Sequence, residues 1–276
     1  MVSKDQRRRQ LARQKFERQQ QRRAQQRSRS RRRNLVIASV VAVVLAASGA
    51  VWASTGLGGD KSTSAGSSPS ASTASRAKDP CGKAAAGSPG KKQWKTEPSM
   101  AISTGSAYTM DLSTTCGDIS MKLDAAKAPH TVNSFAFLAG QHFFDHTKCH
   151  RLTTSGIFVL QCGDPTGTGQ GGPGYTIPDE NLSAFGKKGS DGTVTYPAGT
   201  VAMANTGQPH TGGSQFFLVY KASPLAPSYT PFGTISPAGM KVLQKIAAAG
   251  SAPADANGNT APNATVVIDK ATVSKD

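Results

Sequence analysis

Two stretches in the middle of the chain alternate between apolar and polar residues with a period of two. The first covers 107–114 and the second covers 118–123, and Thr115-Cys116-Gly117 lies between them. Such alternation is typical of half-buried strands, and a short glycine-containing connection joins antiparallel neighbours. The pattern therefore predicts a β-hairpin.

Two other stretches carry apolar residues at helical spacing. Residues 128–139 place Val132, Phe135 and Leu138 near one face, with Pro129 at the start, where a helix tolerates proline. Residues 238–249 (AGMKVLQKIAAA) have a similar pattern. Both stretches predict helices.

Several shorter runs rich in β-branched or aromatic residues predict further strands. They lie near 149–152, 157–161, 200–204, 216–220 and 265–268. A loop rich in Gly and Pro, 163–178, separates the second of these from the third. Many strands with only two helices predict a mainly β fold, a closed barrel or a sandwich with helices capping its ends.

The N-terminal tail differs sharply in charge from the rest of the chain. Residues 1–33 hold 14 Lys and Arg against two acidic residues, so +12 of the formal net charge of +16 lies there. Such a tail has too little apolar surface to fold alone, and it is interpreted as a cytoplasmic topology signal, with anionic lipid or nucleic acid as candidate partners. The near-neutral remainder predicts no nucleic-acid binding by the folded domain.

Residues 35–53 (LVIASVVAVVLAASGAVWA) contain no charged side chain. As a helix they would be roughly 28 Å long at 1.5 Å per residue, close to the hydrocarbon core of about 30 Å. We therefore predict a transmembrane signal-anchor helix at 34–54, with a cleaved signal peptide as the alternative. The basic tail predicts a single-pass protein of the cell membrane with a cytoplasmic N-terminus and an extracytoplasmic remainder.

Two more segments complete the predicted organisation. Residues 55–93 are mainly Ser, Gly, Ala, Thr, Pro and Lys, which predicts a flexible linker with an end-to-end distance of roughly 35 Å. Residues 94–276 form the predicted folded domain, which is long enough to enclose a single core.

The chain has four cysteines: Cys81, Cys116, Cys149 and Cys162. An even number in an exported domain predicts disulfides, and three pairings are open. One of them, Cys81 with Cys116, would tie the end of the linker to the hairpin. A zinc site is disfavoured because the chain has no CxxC motif and no paired-histidine spacing.

Candidate chemistry lies in two stretches. In the first, Arg151 precedes an apolar run at 157–160 that ends in Gln161, and the second runs from Met203 to Phe217. Both offer apolar side chains beside amide or guanidinium donors, and neither offers a paired acid and base. This predicts one groove without proton chemistry.

Other motifs are better explained by structural roles. The GxGxxG match at 167–172 is followed by Pro173 rather than by a helix start, which favours a mobile loop over a nucleotide site. His150 and His210 have no carboxylate at a suggestive spacing, so both are interpreted as structural.

These residues closely resemble the cyclophilin family of peptidyl-prolyl cis/trans isomerases, over about 107–270. The matching pieces are His150-Arg151, Phe158 to Gln161, Gly163-Asp164, Asp179-Glu180-Asn181, Met203-Ala204-Asn205, Gly213 to Phe217 and Phe232-Gly233. The resemblance implies a closed eight-stranded antiparallel barrel capped by two helices, here preceded by one transmembrane helix.

The resemblance also implies which residues form the site. Arg151 corresponds to the catalytic arginine, Phe158 to the wall of the proline pocket and Gln161 to a backbone contact, and these are the implied catalytic residues. The implied substrate-binding residues are Val159, Ala204, Asn205, Gln215, Phe217, Leu225 and Tyr229. This chain departs from the usual family pattern by two residues inserted within 153–156 and at Val159, Pro224 and Tyr229.

The function implied is isomerisation of X–Pro bonds in exported proteins, which assists their folding. Rotation about a peptide bond faces a barrier of roughly 18–20 kcal/mol but changes no covalent bond. No cofactor or metal is therefore expected, and Arg151 would stabilise the twisted amide. The alternative is a non-catalytic module or chaperone that binds proline-containing polypeptides.

Overall fold

The computed structural model describes residues 79–255 and 258–276. The predicted basic tail 1–33, the predicted anchor 34–54 and most of the predicted linker lie outside these residues. Within the described ranges, no helix has both the length and the apolar character needed to cross a membrane. The membrane anchor therefore stays a prediction.

Eleven strands and two helices form the described part of the chain. The strands are β1 (Tyr108–Thr114), β2 (Gly117–Leu123), β3 (Thr147–Lys148), β4 (Arg151–Leu152), β5 (Val159–Cys162), β6 (Val194–Tyr196), β7 (Thr200–Met203), β8 (Phe216–Val219), β9 (Ser223–Leu225), β10 (Pro231–Ile235) and β11 (Val267–Lys275). The helices are α1 (Pro129–Gly140) and α2 (Pro237–Ala248).

The predicted hairpin is confirmed. Strands β1 and β2 pair antiparallel from Tyr108 opposite Leu123 to Thr114 opposite Gly117. Gly117 has a φ of 125°, a conformation that L side chains rarely adopt, so a glycine at this point of the turn avoids strain. On the other side, β1 pairs with β11 along its whole length. The last strand is therefore longer than the predicted 265–268.

Nine strands form one antiparallel sheet in the order β3-β11-β1-β2-β10-β7-β8-β5-β4, and β6 and β9 form a separate pair. The prediction of a closed eight-stranded barrel is therefore wrong, and the sheet is a half-barrel with β3 and β4 at its edges. Between these strands, Cys149 N donates to Val266 O, and within β4 Leu152 N donates to Thr260 O. Because these acceptors lie in irregular chain before β11, no ladder joins the two edges.

Both predicted helices are confirmed, and each begins at a proline. Ser236 caps α2, where its Oγ accepts a hydrogen bond from Gly239 N at 3.1 Å. Helix α1 has no side-chain cap of its own. Instead the carboxylate of Glu180 accepts hydrogen bonds from the backbone N–H groups of His130 and Thr131, at 3.0 and 2.9 Å. An acidic group at this end also suits the helix dipole.

An aromatic cluster joins α1 to the sheet. Phe135 is fully buried, and its ring centroid lies 5.2 Å from that of Phe144, 5.5 Å from Phe216 and 4.6 Å from Phe232. Tilted and edge-on contacts at this spacing are the favourable arrangements for aromatic rings. The cluster fixes α1 and the strands β8 and β10 to one core.

Residues 79–97, which we name the arm, contain no helix or strand but are held against the domain. A disulfide joins Cys81 to Cys116, which is one of the pairings that the sequence left open. Ala85 N donates to Asp269 Oδ1 at 2.9 Å, and the Trp94 ring packs edge-on against Phe137 with centroids 5.1 Å apart. Much of this segment belongs to the predicted flexible linker.

Candidate functional site

A cavity of about 110 Å³, which we name the small pocket, collects most of the site residues named from the sequence. Its lining residues are Arg151, Ile157, Val159, Gln161, Ala204, Asn205, Phe217, Leu225 and Tyr229. They come from β4, β5, β8 and β9 and from the irregular segments that follow β4, β7 and β9. Ile157 is the lining residue that the sequence analysis did not name.

Strand pairing explains why these side chains meet. Arg151 lies opposite Gln161 in the β4–β5 pair, and Gln161 lies opposite Phe217 in the β5–β8 pair. Residues directly opposite each other project to the same face of a sheet. Arg151, Gln161 and Phe217 therefore form one row across three strands, which we name the site row.

The floor of the small pocket belongs to a second apolar cluster beside the main core. Its buried members are Val159, Val194, Tyr196, Ala202, Phe217, Val219 and Leu225. The rings of Phe217 and Tyr229 meet edge-on with centroids 5.4 Å apart. Burial raises the pKa of Tyr196 to about 12, and its hydroxyl donates to Tyr229 O at 2.8 Å. Tyr196 thus stays neutral and fixes the backbone at Tyr229.

The polar edge of the small pocket is a chain of side-chain hydrogen bonds, which we name the amide chain. Arg151 Nη1 donates to Gln161 Oε1 at 3.3 Å, and Gln161 Nε2 donates to Gln215 Oε1 at 2.9 Å. Gln215 Nε2 then donates to Gly171 O at 2.9 Å. The side-chain amides of Gln161 and Gln215 each accept one hydrogen bond and donate the next. The guanidinium of Arg151 therefore has a fixed partner beside the apolar floor.

Asn205 stands apart from this chain but is equally fixed. Its Nδ2 donates to Ser228 O at 2.7 Å, and its Oδ1 accepts from Gly207 N at 3.0 Å. Beside it, Ala204 N donates to Gln215 O at 2.9 Å. The segment that follows β7 is therefore anchored on both sides of the small pocket.

Phe158 does not line the small pocket, contrary to the role that the resemblance implied. Its ring lies edge-on to Tyr220 at 5.9 Å, and Lys221 Nζ lies 4.5 Å from its centroid. Successive side chains of an extended strand point to opposite faces. Val159 and Gln161 line the pocket, so the residue two positions before Val159, Ile157, points to the same face. The alternation counted back from Gln161 could have identified it.

Two buried titratable groups lie behind the amide chain. Burial lowers the pKa of His150, although the Asp164 carboxylate opposes that shift. Both ring nitrogens of His150 are buried without a hydrogen-bond partner among the described residues. Such an imidazole is neutral near pH 7, which agrees with the structural role assigned from the sequence.

Burial alone would raise the pKa of Asp164, but hydrogen bonds led by Thr166 and Gly171 outweigh it and lower the pKa. The carboxylate accepts from Thr166 N and Gly169 N, both at 2.7 Å. Asp164 is therefore an anion that holds the loop carrying Gly171. Through Gly171 O, that loop holds the end of the amide chain.

A second cavity of about 1060 Å³, the large pocket, lies beside the small one. Gln161, Ala204 and Asn205 line both cavities. Gln215 lines the large pocket only. The remaining wall comes from the arm, from the loop 169–176 and from residues between β7 and β8. No cluster of His, Cys, Asp or Glu suited to a metal ion occurs in the described ranges.

The half-barrel and the site row define a mainly β domain with an apolar pocket bordered by a guanidinium and an amide chain. The model of the family described as "Cyclophilin type peptidyl-prolyl cis-trans isomerase/CLD" matches residues 109–273. The chain belongs to this family.

Among curated relatives, a probable peptidyl-prolyl cis-trans isomerase B of Mycobacterium leprae is 51% identical over 161 residues, 56% of this chain and 53% of the relative. Its counterpart in Mycobacterium tuberculosis is 48% identical over 57% of this chain and 52% of the relative. The chain thus spans about half the length of these mycobacterial relatives. A peptidyl-prolyl cis-trans isomerase-like 1 of Neurospora crassa is 35% identical over 58% of this chain and 92% of its own length.

Solved structures include a cyclophilin type peptidyl-prolyl cis-trans isomerase of Cryptosporidium parvum. It has a TM-score of 0.49 and 26% identity, and the match covers 62% of this chain and 99% of that one. A second crystal structure of that protein, determined in the presence of the dipeptide Ala-Pro, has a TM-score of 0.47 and 26% identity over 61% of this chain and 99% of that one.

Proposed function

We propose that the domain is a peptidyl-prolyl cis-trans isomerase that binds X–Pro segments of polypeptides. The observation that carries the proposal is the site row, which sets the guanidinium of Arg151 beside an apolar pocket. A cavity of about 110 Å³ has room for one small ring rather than for a long segment. The buried floor at Phe217 and Leu225 would remove a proline ring from water.

The proposed catalysis is electrostatic. Amide resonance gives the peptide bond a rotation barrier of roughly 18–20 kcal/mol, and twisting returns a lone pair to the prolyl nitrogen. A guanidinium N–H aimed at that lone pair favours the twisted state. Because Gln161 Oε1 already accepts from Arg151 Nη1, the guanidinium needs little reorientation during the reaction. The apolar floor strengthens the interaction by excluding water.

The proposed reaction changes no covalent bond, so the chain's own residues suffice for it. The amide groups at Gln161, Asn205 and Gln215 would hold the backbone on either side of the proline. Ala204 and Tyr229 would complete the walls. Proline-containing polypeptides are thus the proposed partners.

The test is an assay of cis/trans isomerisation on a proline peptide with the full chain in detergent. Arg151→Ala should lower kcat/KM by about 10²- to 10³-fold, the usual loss when one donor to the transition state is removed. Lys221→Ala is the matched control. It also removes a cation, but Lys221 lies over the Phe158 ring and does not line the small pocket. A rate no faster than background, or an undiminished rate in Arg151→Ala, would contradict the proposal.

The same assay addresses the second candidate, a non-catalytic proline-peptide-binding module or chaperone. The observation that favours it is Tyr229, which departs from the usual family residue and lines the small pocket. Peptide binding without isomerisation, retained in Arg151→Ala, would support this candidate over the first.

We also propose that the domain acts on exported proteins, outside the cytoplasm, and that residues 34–54 anchor it in the cell membrane. The uncharged run 35–53 after a basic tail supports this topology. All four cysteines are bridged, Cys81 with Cys116 and Cys149 with Cys162, which is typical of an oxidising compartment. Protease added to intact cells stripped of their wall should degrade the domain; protection until the membrane is permeabilised would refute the topology.

Anionic lipid is the proposed partner of the basic tail 1–33, because its charge of +12 would face the cytoplasmic leaflet. Vesicles containing about one third phosphatidylglycerol should bind a peptide of this sequence, and neutral phosphatidylcholine vesicles should not. Equal binding to both would contradict a charge-based contact.

A further inference from the structure

The first described residue, Asp79, is held against the domain. Its carboxylate accepts hydrogen bonds from Thr265 N at Oδ2 and from Cys81 N at Oδ1, both at 2.9 Å. Two residues further along, the disulfide between Cys81 and Cys116 fixes the chain covalently. Asp79 is therefore a fixed point to which the preceding residues of the chain are joined.

A short series of contacts leads from Asp79 to Arg151, which lines the small pocket. Thr265 is followed by Val266, and Val266 O accepts a hydrogen bond from Cys149 N at 3.0 Å. Cys149 precedes Arg151 by two residues in the chain. Since the route consists of two hydrogen bonds and three peptide steps, Asp79 and Arg151 lie within roughly 25 Å of each other.

The chain before Asp79 contains a single proline, Pro69, in the run Ser67-Ser68-Pro69-Ser70-Ala71. Pro69 precedes Asp79 by ten residues, which extend to at most about 35 Å. The composition of residues 70–78 predicts a flexible chain, for which the average end-to-end distance is about 17 Å. The small pocket therefore lies within the reach of Pro69.

The length of this tether also favours binding. The effective concentration of a tethered ligand is highest where the average length of the tether matches the distance that it must span, and it reaches the millimolar range for short flexible tethers. The average length and the upper limit of the distance from Asp79 to Arg151 are of the same order. Pro69 would therefore be present at the small pocket at a high effective concentration.

The sequence around Pro69 suits the small pocket. Apart from Pro69, residues 62–75 are Ser, Thr, Ala and Gly, so the proline ring is their largest apolar group. The buried floor at Phe217 and Leu225 would remove this ring from water. Small side chains on both sides of the proline would leave the backbone open to the amide groups that border the pocket.

We propose that the Ser68-Pro69 segment of this chain is an intramolecular ligand of the small pocket. This inference rests on the proposed function, because the small pocket must accept an X–Pro segment. The tethered segment competes with every other polypeptide that reaches the pocket. The domain is thus partly inhibited by its own linker until another polypeptide displaces the segment.

The first experiment measures KM and kcat of the full chain in detergent and of its Pro69→Ala variant on a proline peptide. A competing internal ligand raises KM and leaves kcat unchanged, because saturating peptide displaces it. We expect occupancy of about one half to two thirds, so Pro69→Ala should lower KM by about two- to threefold. An unchanged KM would overturn the inference.

The matched control adds Ala77→Pro to Pro69→Ala, which keeps one proline in the linker but places it two residues before Asp79. Two residues reach at most about 7 Å, and neither Asp79 nor its partner Thr265 lines the small pocket. The double variant should keep the low KM of Pro69→Ala. A return to the wild-type KM would contradict a contact that depends on the longer reach of position 69.

Cross-linking of the full chain identifies the segment in the pocket directly. On illumination, the variant Ala71→p-benzoylphenylalanine should cross-link within one chain to residues that line the small pocket, such as Tyr229. Mass spectrometry locates the cross-link. Both Pro69→Ala and an excess of proline peptide should reduce its yield. Cross-links formed only between two chains would overturn the inference in favour of a contact between copies.

A wild type that isomerises no peptide would refute the proposed function, and the cross-link then decides the inference separately. Cross-linking to the small pocket that Pro69→Ala abolishes would support the linker as its ligand. Cross-linking that Pro69→Ala leaves unchanged, or none at the small pocket, would overturn it.

Discussion

The small and large pockets lie side by side but are built from different kinds of structure. The small pocket takes Arg151, Gln161 and Phe217 from three strands in register. The large pocket takes its outer wall from the arm and from a loop, joined by contacts such as Trp94 N to Pro173 O. The geometry of the small pocket depends on the strand pairing of the sheet. We expect the large pocket to tolerate substitution with a smaller loss of stability than the small pocket.

The largest expected difference between the pockets is in stability. Phe217 is 5% exposed and packs against Tyr196 and Tyr229. Phe217→Ala should lower the free energy of unfolding by about 3–5 kcal/mol, because it leaves a cavity in the second apolar cluster. Thr96→Ala, in the wall of the large pocket, should change it by less than about 0.5 kcal/mol. Urea unfolding measures both, and equal effects would remove the distinction between the pockets.

The two disulfides provide the next comparison. Cys149 and Cys162, 13 residues apart, connect the segment just before Arg151 to the end of the strand that carries Gln161. Replacing both by Ala should lower the free energy of unfolding by about 3 kcal/mol, the value for a loop of this length. Urea unfolding under oxidising conditions measures the loss.

The Cys81–Cys116 bridge, with a separation of 35 residues, would contribute about 4 kcal/mol by the same relation. We expect the loss in its double Ala variant to fall below 3 kcal/mol, because a released arm also gains freedom in the folded state. A larger loss than in the Cys149/Cys162 variant would mean that the arm unfolds only together with the sheet.

Gln215 connects the two pockets, so its effect should lie between theirs. Gln215→Ala removes the acceptor of Gln161 and the contact to Gly171 O. We expect kcat/KM for a proline peptide to fall about tenfold, which corresponds to the loss of about one hydrogen bond. Gln208→Ala, on an exposed loop, is the control. An unchanged rate in Gln215→Ala would show that the amide chain does not position Arg151.

The smallest expected effect is a pH dependence behind the small pocket. Burial lowers the pKa of His150 in the folded domain, whereas the unfolded chain titrates near the ordinary value of 6.5. The unfolded state therefore binds the proton more readily, and stability falls as the pH decreases through about 6.5 until the folded group also titrates. Urea unfolding at about pH 7.5 and pH 5 should show a larger drop in wild type than in His150→Gln.

His142→Gln is the control for that measurement, because its side chain is 72% exposed. It should show the same drop as wild type. A His150→Gln variant with an undiminished drop would place the pH dependence in another group.

The elements that sequence predicts well are those with a long regular period. The hairpin has seven residues in each strand and each helix has twelve, so one buried face repeats several times. Strands β3, β6 and β9 have two or three residues, too few for any period to be visible. In β9, Pro224 also argues against a strand, although an exposed edge position accepts it.

The residues of the site that lie in strands were also predictable from the sequence. Arg151, Gln161 and Phe217 stand in strands whose character the sequence shows, and register brings them together. The family resemblance favoured the aromatic Phe158, whereas alternation along the strand places Ile157 on the pocket face. The composition of the arm is that of a linker, and its contacts with the domain depend on distant residues such as Pro173.

The connection at 153–156 contains the two residues inserted relative to the usual family pattern, and both of its ends are tied down. Arg151, before the connection, pairs with Gln161, after it. The disulfide between Cys149 and Cys162 links the chain on the two sides of the connection. Gly156 at its tip has open space, since an added Cβ would meet nothing within 4 Å. Length at this tip is therefore uncoupled from the position of Arg151. A fluorescent or affinity tag grafted there would report on bound polypeptides without moving the guanidinium.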